Sequence, residues 1–456
     1  MARTPRRLRR YTALAVAGVL LLAACSSSDA EDTGTTNAAT QTTEGSPNDP
    51  YICDGEITGP VTIEAWYHSG SGTQRDILSA QVEEFNASQS DVIVNLVLLP
   101  EGSYNEQVQA ASAAGDLPDL LDIDGPNLAN HAWSGDLVSI DSCLSDELRA
   151  DLLPSVINQG TYGGSLYALS QLESGLGLYS RRSVLEDAGI RIPEGADDAW
   201  TADEIAEFLP VLRDAGYERP LNLRWNNTSI EWYTYAFSPI VWSAGGDLID
   251  RSTYLTADGA LNTPEVVDAM SKFQGWFEGD YVDSNEDDAA FESGRSVITW
   301  SGHWGLPGFQ EVFGDDLLVL PLPDFGEGAK SGHGNWQWGV TTATPDLDAT
   351  WAFMEFMLNT EEILRVSNAT GGIPVRLSAA NQSEAYGEDG PLRMYVEQLL
   401  DGRAVSRPQT PAYPTITSTF ADGLHDIADG ADPATVLNDM VETIDKEIEA
   451  NDGYAD

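Results

Sequence analysis

The feature that most constrains this chain is an ordered alternation of two hydrophobic periods. Val61 to Tyr67 alternates with period two, Asp76 to Phe85 carries apolar positions at helical spacing, and Val92 to Leu99 is a nearly continuous β-branched and leucine run. That order reads strand, helix, strand. A helical Tyr104 to Ala114, a short apolar Asp119 to Ile123 and a helical Asn127 to Trp133 continue it. Strands joined through helices lie parallel or mixed, with helices covering both faces of the sheet. The fold class is therefore α/β. Further on, Thr201 and Glu204 form a capping box ahead of Ile205, Phe208, Leu209 and Leu212, and Pro210 is expected to kink or divide that helix. Thr263-Pro264 and Asp432-Pro433 each place a cap and a first-turn proline before an apolar stripe. Ala349 to Leu364 is apolar all round and reads as a helix packed on more than one side.

The amino terminus is an address. Arg3, Arg6, Arg7, Arg9 and Arg10 precede an apolar stretch from Tyr11 to Ala24, the basic and apolar parts of an export signal. The stretch is shorter than the roughly 20 residues a membrane span needs. Leu22-Ala23-Ala24-Cys25 resembles the bacterial lipobox, so residues 1–24 are expected to be removed and Cys25 to be lipidated, holding the protein on the outer face of the cell membrane. An ordinary signal peptide with a chance cysteine is the alternative. Residues 25–50 carry almost no large apolar side chain and read as a flexible tether. Cys53 and Cys143 remain, in an exported context that permits oxidation, and are expected to form a disulfide. Two free, partly buried thiols are the alternative.

Charge and missing motifs narrow the function. Lys plus Arg is 23 against 73 Asp plus Glu, a net charge of −50 that repels phosphate backbones and anionic lipid and argues against nucleic-acid binding. With 42% hydrophobic residues in 456, the chain has material for one large bilobed core or several domains. Its five histidines are scattered without paired ligand spacing, so no metal is expected. Asp122-Ile123-Asp124-Gly125 begins like a calcium loop, but Asn127 stands where the turn glycine belongs and no glutamate closes it. The sequence holds no GxSxG elbow, GxxxxGK loop or GxGxxG turn. No cofactor is expected.

Within this frame, several segments carry a family likeness. Thr62-Ile63-Glu64-Ala65-Trp66-Tyr67-His68-Ser69 with the following Val82-Glu83-Glu84-Phe85-Asn86, then Ala114-Gly115-Asp116-Leu117-Pro118-Asp119, Gly164-Ser165-Leu166-Tyr167-Ala168-Leu169 and Trp242-Ser243-Ala244-Gly245-Gly246-Asp247 occur in order. Phe291 to Arg295, Gly302-His303-Trp304, Leu320-Pro321-Leu322-Pro323 and Gly372-Ile373-Pro374-Val375-Arg376 extend the series, with Ser170 where a proline is usual. The chain thus resembles the family 1 extracellular solute-binding proteins of ATP-driven importers, the maltose- and trehalose-binding kind, over roughly residues 60–380. The resemblance implies a two-lobed periplasmic-binding-protein-like α/β fold, with crossing hinge strands and solute in the interlobe cleft. The lobes would be 51–163 plus 331–370 and 164–330 plus 371–456. It also implies a carbohydrate ligand, permease subunits of an ABC transporter as partners, and no catalysis. A quaternary-ammonium solute in an aromatic cage and a secreted glycoside hydrolase are the competing readings.

A neutral sugar needs aromatic plates for its C–H faces and carboxylate, amide or guanidinium groups for its hydroxyl rim. Loop tryptophans beside glycine and polar residues are the candidate plates: Trp225, Trp232, Trp300, Trp304, Trp336 and Trp338. Trp336 and Trp338 alternate on a strand, so at most one should reach the solute. Asn227 and Glu231 lie between two indoles, and Glu231 occupies a place similar to a family glutamate that contacts ligand. Tyr67, His68, Ser69 and Asp124 follow strands, at the carboxyl ends where open α/β sheets place ligands. Asp124 could instead cap the next helix. Glu173 near the crossing region and Arg376, which resembles the family position at the return crossing, complete the set. A structural ion pair is the alternative for each of those two.

Overall fold

Leu120–Asp124 is buried at all five positions, which is the signature of a strand covered on both faces. It is the middle of a five-stranded sheet ordered Val92–Leu99, Val61–His68, Leu120–Asp124, Trp336–Val340, Ala168–Leu169. A computed structural model describes residues 51–454, apart from 58, 71, 228 and 286–288. The signal segment, Cys25 and the tether lie outside the described residues. Val61–His68 is parallel to Val92–Leu99, and the Gly72–Ser88 helix makes the crossover that a parallel pair requires. Trp336–Val340 returns from much later in the chain and pairs antiparallel with Leu120–Asp124, Trp336 opposite Asp124.

A second sheet is ordered Leu317–Leu320, Leu176–Arg181, Ile298–Gly302, Leu221–Asn222. Its core takes Phe237 and Ile240 from the Ile230–Ser243 helix, and Phe273 from Pro264–Glu278. The late helices Tyr413–Ala428 and Pro433–Ala450 add Phe420, Leu424, Leu437 and Ile444 to that same core. The first sheet has its own core, in which Ile63, Val94, Phe353 and Met354 are buried. Cys53 and Cys143 are joined by a disulfide and pack against it.

Between the sheets the chain crosses in extended form. Ile373–Pro374 pairs with Leu172–Glu173, Gly175 bridges His333, and Ser331–His333 runs parallel to Ala404–Ser406. Gly334 has a φ of +109°, and a Cβ there would stand 2.4 Å from Gln159 Oε1. Only glycine fits this crossing. Two details differ from the expected division into lobes: Leu166 and Leu169 belong to the first core, and so do Val375 and Ala379.

Local signals act largely as their chemistry dictates. Thr201 and Glu204 make the reciprocal capping box, and Thr263 and Asp432 cap their helices. The Ala202–Asp214 helix runs on through Pro210 instead of dividing there. Burial of Ile205, Phe208, Leu209 and Leu212 offsets the penalty of about 3 kcal/mol for an interior proline. The apolar stretch from Ala349 to Leu364 is two helices, Leu347–Met357 and Thr360–Thr370, because the Asn359 side chain accepts from the Glu362 amide and starts a new one.

Candidate functional site

A cavity of about 400 Å³ has walls from both sheets, at the carboxyl ends of Val61–His68 and Leu120–Asp124. On the first wall, the His68 ring lies face to face with Trp336, centroids 3.8 Å apart and planes 13° from parallel. Its Nδ1 is hydrogen-bonded to buried Asp122. Burial pushes the Asp122 carboxyl above its ordinary range, against the downward pull of His68. With Nδ1 engaged, Nε2 is the nitrogen left for a solute.

The opposite wall is the first turn of the Ile230–Ser243 helix. This helix is apolar all round and buried from Trp232 onward, so its polar opening turn is the part that meets the cavity. Trp232 meets Trp304 edge to face at 6.2 Å, and Tyr235 lies 6.0 Å from Trp304. The Arg224 guanidinium stands 5.6 Å from the Trp232 ring centroid.

Arg407 ties the walls together. Its Nη2 donates to Asp124 Oδ1 at 3.2 Å and its Nη1 to Glu231 Oε1, while its Cζ lies 4.8 Å from the centroid of the Tyr235 ring. Tyr413 donates to Glu231 Oε1, and Thr417 donates to Oε2 at 2.9 Å. Burial works against the Arg407 cation, but Asp124 and Glu231 outweigh it and hold the guanidinium well above its ordinary value. Burial raises the Glu231 carboxyl, and Arg407 only partly offsets that rise. Asp124 makes no side-chain cap to the helix after it; its carboxylate is given to Arg407.

The structure brings together His68, Asp124, Asn227, Glu231, Trp232, Trp304 and Trp336 around this cavity. Other expected residues lie elsewhere. Glu173 is 1% exposed and accepts from the Ser174 and Gly334 amides at 3.0 and 2.8 Å, with His333 Nδ1 at 3.4 Å. It is a structural anion of the crossing, paired with a histidine. Arg376 donates to Asp151 at 2.7 Å and to the Leu358 carbonyl at 3.2 Å, so its fork is already occupied. Trp300 is 1% exposed in the second core, where it meets Phe237. Trp225 packs against Phe277 at 4.6 Å and against Tyr233 and His425. Trp338 stacks on Tyr67 at 5.6 Å beside a small space of about 50 Å³, its alternation along the strand sending it away from the main cavity. The Ser69 hydroxyl accepts from the Glu101 amide.

Sequence reasoning missed Arg407, Arg224, Tyr235, Asn335 and Gln74, which also line the cavity. Arg407 had one available signal: a lone cation in the proline-rich stretch from Ser406 to Pro414, where an extended chain has no helical periodicity to explain it.

Two sheets, extended crossings and a polar-aromatic cavity between them are the architecture of a two-lobed binding protein. The chain belongs to the bacterial extracellular solute-binding protein family, whose sequence pattern matches residues 80–392. The family and its relatives are binding proteins rather than enzymes. The chain is similar to the maltotriose-binding protein of Pyrococcus abyssi, with 26% identity over 72% of this chain and 69% of that one. It is also similar to an uncharacterized lipoprotein of Streptomyces antibioticus, 27% identical over 35% of each chain. Among solved structures, the cyclic alpha-maltosyl-1,6-maltose binding protein of Arthrobacter globiformis superposes with a TM-score of 0.72 at 24% identity, covering 86% of this chain and all 100% of the other. The GacH receptor of Streptomyces glaucescens gives 0.74 at 20% identity, covering 86% and 99%. These likenesses establish the two-lobed α/β fold.

Proposed function

We propose that this chain captures a maltose-like oligosaccharide between its lobes and presents it to the membrane subunits of an ATP-driven importer, without chemistry on the sugar. The observation that carries this reading is Arg407 binding carboxylates of both walls, Asp124 and Glu231, beside the Trp232, Trp304 and Trp336 rings. Indole faces suit C–H faces, and charged groups make the stronger hydrogen bonds to a hydroxyl rim. The names of the maltotriose and maltosyl-maltose relatives support the same solute class. A sugar touching both walls binds the closed form better, and that difference is what shifts the population toward closure. Both carboxylates are engaged by Arg407, which disfavours either as an acid or nucleophile in hydrolysis.

In this proposal the chain passes between the lobes three times, near residues 171, 331 and 380; the burial of Leu169, Val340 and Ala379 in the first core supports these limits. Cys25 carries the lipid anchor, which a mass shift of the amino-terminal peptide, absent in Cys25→Ser, would reveal. The solute is tested by a thermal-shift screen of sugars and betaines on the mature chain. A ligand at 100 times its Kd stabilises by about 2.7 kcal/mol. Stabilisation by maltose-type sugars is expected; a shift with betaines and with no sugar overturns the reading.

A further inference from the structure

A second chamber of about 220 Å³ opens beyond the Trp304 indole. Trp304 and Arg224 line both spaces, so the two are neighbours across these side chains. Every other residue lining the second chamber comes from the second-sheet half of the molecule: Asn222, Glu292, Thr299, Gly305, Gly308 and Phe309. It is therefore a side chamber within one lobe, outside the gap between the lobes.

Its lining is built for a ligand. Thr299 is 0% exposed, and its hydroxyl has no hydrogen-bond partner among the described residues. Glu292 Oε2 is likewise buried and unpartnered. A buried polar atom left unsatisfied is a liability that native folds rarely keep, and at a cavity wall a ligand hydroxyl can relieve it. Around these two groups stand an amide, Asn222, a guanidinium, Arg224, and the Trp304 and Phe309 rings. Hydroxyl, carboxylate, amide and aromatic face together are the recognition set of a sugar ring.

We infer that this chamber is a subsite for one further ring of the solute, reached past Trp304, so that the protein selects sugars of three rings over two. The inference rests on the sugar reading above. Its size fits: the chamber is about half the main cavity, so if the main cavity holds two rings, this one has room for one. Trp304 would then contact the solute from both spaces, as the partition between consecutive rings.

The test is calorimetric titration of the mature chain with maltose and maltotriose, in the wild type, Gly308→Phe and Thr299→Val. Gly308 lines the chamber, and a Cβ there would meet no atom within 4 Å, so a side chain can start from this position without a clash at its first carbon. Thr299→Val keeps the shape and removes only the hydroxyl. Wild type is expected to bind maltotriose at least about tenfold more tightly than maltose. Gly308→Phe should abolish that preference while leaving maltose affinity within about twofold, and Thr299→Val should reduce it several-fold. Equal affinity for the two sugars in wild type, or equal loss for both in Gly308→Phe, overturns the subsite and leaves the sugar reading standing. Binding of neither sugar by wild type overturns both.

Discussion

Two glutamates, Glu173 buried and Glu231 partly buried, stand on either side of Tyr235 and are treated in opposite ways. Glu173 lies in the crossing, next to Ser174, whose hydroxyl is 2.7 Å from the Tyr235 hydroxyl. Glu231 lies at the cavity, held by the same Arg407 that covers the Tyr235 ring. Burial alone would raise both. At Glu173, His333 and two backbone amides more than reverse it and bring the carboxyl below its ordinary value. At Glu231, Arg407 is shared with Asp124, so burial prevails and the carboxyl is raised. The crossing thus holds one carboxylate among donors it has to itself, whereas the cavity wall holds two carboxylates that share one cation.

The largest test of this contrast is Glu173→Ala. It leaves the Ser174 and Gly334 amides without their acceptor and is expected to destabilise by roughly 3–5 kcal/mol, as for breaking a buried ionic pair. Denaturant titration measures it; a loss under about 1 kcal/mol would erase the distinction between the two regions. Glu231→Ala, beside a cavity that admits water, should cost less stability, roughly 1–3 kcal/mol, but weaken sugar binding at least about tenfold in calorimetry. Unchanged affinity would remove Glu231 from the site. Trp304→Ala should weaken binding by about tenfold with little loss of stability, while Trp300→Ala, one strand position inside the core, should lose roughly 3–5 kcal/mol of stability.

The subtlest test is pH. Because the Glu173 carboxyl is depressed in the fold, its stabilisation is present above the ordinary carboxylate range and is lost as pH falls through the depressed value. Because that of Glu231 is raised, the fold loses stability as pH rises from the ordinary value through the raised one. The stability deficit of Glu173→Gln should therefore grow with rising pH and that of Glu231→Gln should shrink. Denaturation of both variants at about pH 4 and about pH 7 measures the two slopes, and slopes of one sign would contradict the contrast. His303, which burial lowers to about 4, adds a loss of wild-type stability as pH falls from the usual 6.5 through that value. A His303→Gln variant should show less of this loss.

Much of the fold was legible because its signals are local. The strand and helix periods around Val61 to Ala114, the Thr201–Glu204 box and the Thr263 and Asp432 caps each depend on residues within a turn or two of each other. The single-helix reading of Ala349 to Leu364 failed because Asn359 caps as well as any residue does, and an all-apolar run hides such a break. At the site, Trp232, Glu231 and Trp304 were legible as aromatic and acidic groups beside loops. Trp225 and Trp300 carried the same local signature, yet Trp300 is buried in the core and Trp225 packs against it. An indole's sequence neighbours do not reveal which way it faces.

By itself, then, the sequence determined which stretches become strands and helices, their α/β alternation, and the inventory of aromatic and charged groups from which a sugar site is assembled. Tertiary structure alone decided which of those groups meet. Arg407 reaches Asp124 and Glu231 across separations of 283 and 176 residues, and His333 reaches Glu173 across the crossing. The physical reason is that a side chain's partner, burial and protonation depend on what the chain brings opposite it, and contacts so distant in sequence leave no periodicity in the residues beside them.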